Sequence, residues 1–108
     1  MTIYALSSGS GISGVAVIRI SGLSAKTIIE KLTKNEIPKP RIASLKNINK
    51  INSNELIDEG IIIWFPGPQS YTGEDMAEIQ VHGSKAVVDA LHSSLSDIEN
   101  CRLAEPGE

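Results

Sequence analysis

The sequence predicts an α+β domain, a mixed β-sheet with two main helices. Three observations predict it. β-Branched and alternating apolar runs recur along the chain and read as strands. Helical periodicity appears in only two stretches, 23–34 and 85–98. The resulting order is strand, strand, helix, strand, strand, strand, helix, strand, which mixes hairpins with helices and is no regular βα alternation.

Each element has a local reason. Residues 2–6 (Thr-Ile-Tyr-Ala-Leu) read as a short strand, and 7–14 (Ser-Ser-Gly-Ser-Gly-Ile-Ser-Gly) as a Gly/Ser loop. Residues 15–20 (Val-Ala-Val-Ile-Arg-Ile) have the composition of a central strand, with Arg19 set unusually among apolar neighbours. In 23–34, Ile28, Ile29 and Leu32 share one helical face, and Pro38 and Pro40 forbid continuation. Residues 41–51 alternate in part and predict a half-exposed strand, with a turn at Asn52-Ser53-Asn54. The next strand runs from about Glu55 to Phe65, with Ile61 to Phe65 expected to be buried, and forms a hairpin with its predecessor. Pro66 to Gly73 is a loop stiffened by two prolines. Residues 74–82 predict another strand, with Met76, Ala77, Ile79 and Val81 as its apolar members. Ser84 is placed to cap the 85–98 helix, whose Val87, Val88, Leu91, Leu95 and Ile98 keep a helical period. A last strand is expected at 102–104.

At 108 residues the chain reads as one domain, 1–108, with a single modest core. Aromatic residues are only 4% of the chain, so Ile, Val and Leu must fill that core. Cys101 stands alone, which excludes an internal disulfide and suits a small, half-buried hydrophobe in a reducing cytoplasm. No stretch approaches the roughly 20 apolar residues of a membrane span, and no signal peptide is visible; the expectation is a cytoplasmic protein with no membrane partner. A net charge of −3 argues against a dedicated nucleic-acid module. The charge is uneven: residues 26–50 carry seven basic against two acidic side chains, and 51–108 two basic against eleven acidic. The Lys-rich 26–50 stretch reads as a solvated face, with RNA phosphate contact as the alternative.

Gly9-x-Gly11-x-x-Gly14 has the spacing of a dinucleotide fingerprint but runs into a strand instead of a helix, which removes the helix N-terminus that the motif needs. No Gly-x-x-x-x-Gly-Lys-Ser/Thr occurs, so the chain carries no P-loop and no catalytic residue is assigned. Two features remain. Arg19 is either one half of a structural ion pair or a guanidinium offered to a carboxylate ligand. In Tyr71-Thr72-Gly73-Glu74-Asp75-Met76-Ala77-Glu78-Ile79-Gln80-Val81-His82-Gly83, the groups Glu74, Glu78, Gln80 and His82 are spaced by two or four. On one strand they share a face, either simply wet or able to bind a heterocycle with several donors and acceptors. Tyr71, at the head of this stretch, joins Glu74, Gln80 and His82 as candidate lining. His/Cys spacing for zinc is absent, and no metal is expected.

Four segments then carry a resemblance: Val17-Ile18-Arg19-Ile20-Ser21-Gly22, Trp64 to Asp75 with its Phe-Pro-Gly-Pro-Gln-Ser-Tyr-Thr-Gly-Glu-Asp string, Glu78-Ile79-Gln80-Val81-His82-Gly83, and Pro106-Gly107-Glu108. In order and spacing they resemble the N-terminal domain of the tRNA-modification GTPases called MnmE or TrmE. The resemblance spans nearly the whole chain. It implies a fold related to the folate-binding domain of aminomethyltransferases, a homodimer formed through this domain, and a reduced folate (5-formyl- or methylene-tetrahydrofolate) bound near the pairing surface. The family's folate-contacting Arg falls on Arg19 and its folate-contacting Glu on Glu78. Further contacts, both lysines, are implied beyond Glu108. So are a helical domain and a GTPase domain using GTP, Mg2+ and K+. With a flavoprotein partner, the family takes part in 5-carboxymethylaminomethyl modification of the tRNA wobble uridine. The first loop departs from the family, with Ser8-Gly9-Ser10-Gly11-Ile12-Ser13-Gly14 where Thr-Pro-Pro-Gly-x-Gly-Gly is usual, and Ser84 replaces a second Gly. The alternative reading is a dimerisation-only module without folate binding.

Overall fold

A computed structural model describes residues 1–6 and 14–106. The Gly/Ser loop reading, apart from Gly14, and the final Gly107-Glu108 lie outside the described residues. The elements are β1 (Thr2–Leu6), β2 (Val15–Ser21), α1 (Ala25–Thr33), β3 (Ser44–Asn49), β4 (Leu56–Phe65), β5 (Met76–His82), α2 (Lys85–Ser96) and β6 (Cys101–Leu103). Their order is the order expected from the sequence. The strands form one six-stranded sheet in the order β3-β4-β5-β2-β1-β6. All neighbours are antiparallel except β1 and β6, so the fold is α+β with a mixed sheet.

Register explains the core. Ile18, Ile79 and Ile62 lie side by side across β2, β5 and β4, as do Ile20, Ala77 and Trp64. Cross-strand partners share a face. These six pack in one cluster with Ile28, Ile29 and Leu32 of α1 and with Leu91 and Leu95 of α2. Both helices therefore cover the same face. The alternate positions, such as Val17, Ile61 and Ile63, lie on the other face and are only half-buried. This corrects one expectation. The Ile61 to Phe65 run is not buried throughout: Ile62 and Trp64 are, whereas Ile61, Ile63 and Phe65 point to the uncovered face. A continuous apolar run suits a strand covered on both faces, and here only one is covered.

Boundaries shift for identifiable reasons. Before α1, Ser24 N–H donates to the buried Thr2 Oγ1 at 2.9 Å and Ala25 N–H to the Gly22 carbonyl, so the helix starts at Ala25 and not at 23. It ends at Thr33, ahead of the prolines, where Lys34 turns left-handed (φ 55°) and its Nζ reaches the Ile51 carbonyl at 2.7 Å. Ser84 caps α2 as expected, its hydroxyl accepting Val87 N–H. That helix stops at Ser96, and the last strand begins at Cys101. Among the described residues, no helix is long and apolar enough to cross a membrane.

Candidate functional site on the open sheet face

Arg19 and Glu78 stand directly opposite each other across β2 and β5. Arg19 Nε donates to Glu78 Oε1 at 3.1 Å. The contact is a single hydrogen bond, not the two-pronged fork a guanidinium can make with a carboxylate. Gln80, two residues along the same face of β5, donates from Nε2 to Glu78 Oε2 at 2.7 Å. Both carboxylate oxygens are thus held, each by one donor. Tyr71 stands on the loop above, with Arg19 Cζ 5.7 Å from its ring centroid, a distance at which a cation meets an aromatic face. A pocket of about 190 Å3 opens beside the pair, bounded by Ile3, Ala5, Arg19, Ser21, Tyr71 and Met76.

The pair itself is a poor device for stability. Arg19 is 43% exposed and Glu78 13%, and an ion pair open to solvent on its cationic side contributes about 1 kcal/mol. The register also surrounds it with apolar side chains: Ala5 beside Arg19, Ile63 beside Glu78, and Ile61 and Val17 flanking Gln80. A charged pair framed by apolar groups on an uncovered face is suited to a ligand that is itself partly polar and partly flat.

The loop over this face is built by the motif residues. Gly67 N–H donates to Asp75 Oδ1 at 2.9 Å, and a Cβ at Gly67 would stand 2.8 Å from the Glu74 carbonyl carbon, so only glycine fits there. Ser70 Oγ donates to the Glu74 carbonyl, and Arg41 Nη2 to the Gln69 carbonyl. Gly22 N–H donates to the Asp75 carbonyl at 2.9 Å, which ties the loop's end to the turn after β2. Ser21 completes the anchor, its hydroxyl lying 2.8 Å from Thr72 Oγ1 and donating to Glu74 Oε2 at 3.2 Å.

Of the residues singled out from sequence, Arg19, Glu78, Gln80 and Tyr71 come together. Glu74 and His82 do not join them as expected. Glu74 precedes β5, which begins at Met76, so it leaves the strand face and braces the loop through Ser21. His82 is on the open face but four residues from Glu78, about 13 Å at the usual strand rise. It is engaged by Asp58, whose carboxylate accepts His82 N–H at 2.9 Å and lies 2.9 and 3.0 Å from the ring Nδ1. Burial pushes the Asp58 carboxyl up, but hydrogen bonds from the His82 backbone and ring and from Glu59 outweigh it and leave the carboxyl below its ordinary value. Asp58, Ser21 and Thr72 were not singled out from the sequence. Asp58 gave no signal there, because its partner lies 24 residues away and depends on strand register.

Cys101 is buried, and burial pushes its thiol up, away from the thiolate. Among the described residues, no group of three or more His, Cys, Asp or Glu is placed to hold a metal ion.

Comparison with known proteins gives the lineage. The chain is 67% identical over 108 residues to the tRNA modification GTPase MnmE of Pelagibacter ubique, covering 100% of this chain and 24% of that protein. It is 47% identical over 113 residues to the mitochondrial tRNA modification GTPase gtpbp3 of Dictyostelium discoideum, covering 99% of this chain and 22% of that one. It is 49% identical over 107 residues to the tRNA modification GTPase MnmE of Brucella anthropi, covering 99% of this chain and 24% of the relative. The chain thus spans about a quarter of the length of these relatives. The profile of the GTP-binding protein TrmE N-terminus matches residues 2–108, and the chain belongs to that family.

Proposed function

We propose that this domain binds a reduced folate on the open face of its sheet and pairs through that face with a second copy of itself. It does so as the N-terminal part of a cytoplasmic tRNA-modification GTPase. The observation that carries this reading is the Arg19–Glu78 pair, held by single hydrogen bonds on an uncovered, otherwise apolar face. Carboxylate oxygens accept the paired N–H groups that a pterin edge presents, as they do from base edges. Arg19, in contact with Glu78, meets the same end of the ligand, where its guanidinium N–H groups suit the pterin carbonyl oxygen. The Tyr71 ring and the 190 Å3 pocket beside it add flat and apolar contact for a planar ligand.

The bound folate, 5-formyl- or methylene-tetrahydrofolate, supplies a one-carbon unit. The chain's own residues bind and orient it: Glu78 accepts, Arg19 donates, Gln80 holds Glu78, and Tyr71 shields one side. Pairing of two copies is supported by the apolar frame, in which Leu45 is 62% exposed beside Ile61, and Val15 is 49% exposed at the end of β2. The printed names of the relatives support the wider setting of tRNA modification and GTP hydrolysis. In that setting the whole protein uses GTP with Mg2+ and K+ and works with a flavoprotein on the tRNA wobble uridine. Calorimetric titration with 5-formyltetrahydrofolate, together with the sedimentation mass of the chain, tests the reading. Absence of folate heat in a clean dimer leaves a dimerisation-only module.

A further inference from the structure

We propose that Gln80 is a positioning residue that keeps the Arg19–Glu78 pair open for a ligand, a role that rests on the folate reading above. A carboxylate only accepts, so the amide group facing Glu78 Oε2 at 2.7 Å must be the Nε2 donor. Arg19 Nε takes the other oxygen at 3.1 Å. The two donors come from different directions, one from the next strand and one from two residues along the same strand.

Without Gln80 the arrangement has a better alternative for itself alone. An Arg facing a carboxylate prefers the planar two-pronged form, with two parallel N–H···O bonds. Rotation about the Glu78 side-chain torsions would carry its second oxygen from Gln80 to an Arg19 Nη nitrogen. That closed pair would satisfy both groups internally, and a ligand would have to break it. Gln80 opposes the rotation by holding Oε2. The guanidinium's terminal nitrogens then stay outside the pair, and each Glu78 oxygen keeps a lone pair beyond its one bond. Gln80 thereby leaves an acceptor and a donor side by side, as the edge of a heterocycle that presents both N–H groups and a carbonyl oxygen requires. Its half-buried position between Val17 and Ile61 fixes its own side chain by packing.

The test uses Gln80→Met, which keeps length and volume and removes the donor, and needs two readouts. The first is an atomic-resolution structure of the unliganded variant. The expected result is a two-pronged Arg19–Glu78 pair; an unchanged single-bond pair overturns the proposal whether or not folate binds. The second is calorimetric affinity for 5-formyltetrahydrofolate in the parent chain, Gln80→Met, Glu78→Ala and the double variant. The expected results are a loss of roughly tenfold or more for Gln80→Met and no further loss when it is added to Glu78→Ala. A closed pair with undiminished affinity overturns it, as does a full additional loss in the double variant, which would mark direct ligand contact. If the parent chain binds no folate, the folate reading fails by itself, while the structure of Gln80→Met still decides whether Gln80 holds the pair open.

Discussion

Arg19 and Glu78 face each other across adjacent strands and share one hydrogen bond of 3.1 Å, on the face of the sheet that the helices leave uncovered. Such a pair contributes little to folding, which separates its role in binding from its role in stability. Arg19→Ala is expected to shift unfolding free energy by no more than about 1 kcal/mol. Urea denaturation checks this. A loss of several kcal/mol would mean that the pair is structural.

Gly22, in the Arg-Ile-Ser-Gly run, is held at φ 138° with the backbone of β1 packed against it. A Cβ there would stand 2.6 Å from Thr2 Cα and 2.8 Å from the Met1 carbonyl oxygen. Gly22→Ala is therefore expected to destabilise the chain by about 2 kcal/mol or more, through both the backbone angle and the displaced strand. Thermal unfolding measures it, and an unchanged midpoint would contradict the packing described.

Asp58 links pH to stability. Its carboxyl is held below its ordinary value in the folded chain despite burial, mainly through the hydrogen bonds from His82. A group depressed on folding stabilises above its unfolded pKa of about 3.9 and loses that contribution as pH falls through the folded value. Asp58→Asn should cost about 1–2 kcal/mol at neutral pH, and the gap from the parent chain should shrink below about pH 4. A gap that stayed constant from neutral to pH 3 would contradict this assignment.

Cys101 is 7% exposed, and its thiol is shifted away from ionisation by burial. Native alkylation by iodoacetamide at neutral pH should be slow, and should accelerate by orders of magnitude in denaturant. Rapid native labelling would show that β6 opens readily.

The order of elements was legible because local chemistry and tertiary structure agree. β-Branched runs such as 15–20 pair in the sheet, and Ser84 caps the helix it precedes. Arg19 stands out in the sequence as a charge in an apolar strand, and Glu78 as one of four polar groups spaced by two or four, from which the family resemblance selects it. What the sequence hid depends on register and on coverage. Ile61 and Ile63 look like core because nothing local says that one face of β4 is open. Glu74 looked like a strand residue because its spacing from Glu78 fits one, yet Gly73 at φ 81° and the Asp75 contacts keep it in the loop. Spacing places His82 on the same face as Glu78, but its partner Asp58 is supplied by the neighbouring strand.

The most direct test of the central claim is calorimetric titration of 5-formyltetrahydrofolate into the parent chain and into Arg19→Ala and Glu78→Ala, each first shown to be folded. Saturable binding by the parent chain and a loss of at least roughly tenfold in each variant are expected, since each removes a charge-assisted hydrogen bond to the ligand. Binding of equal strength in all three would contradict the placement of the site on this face.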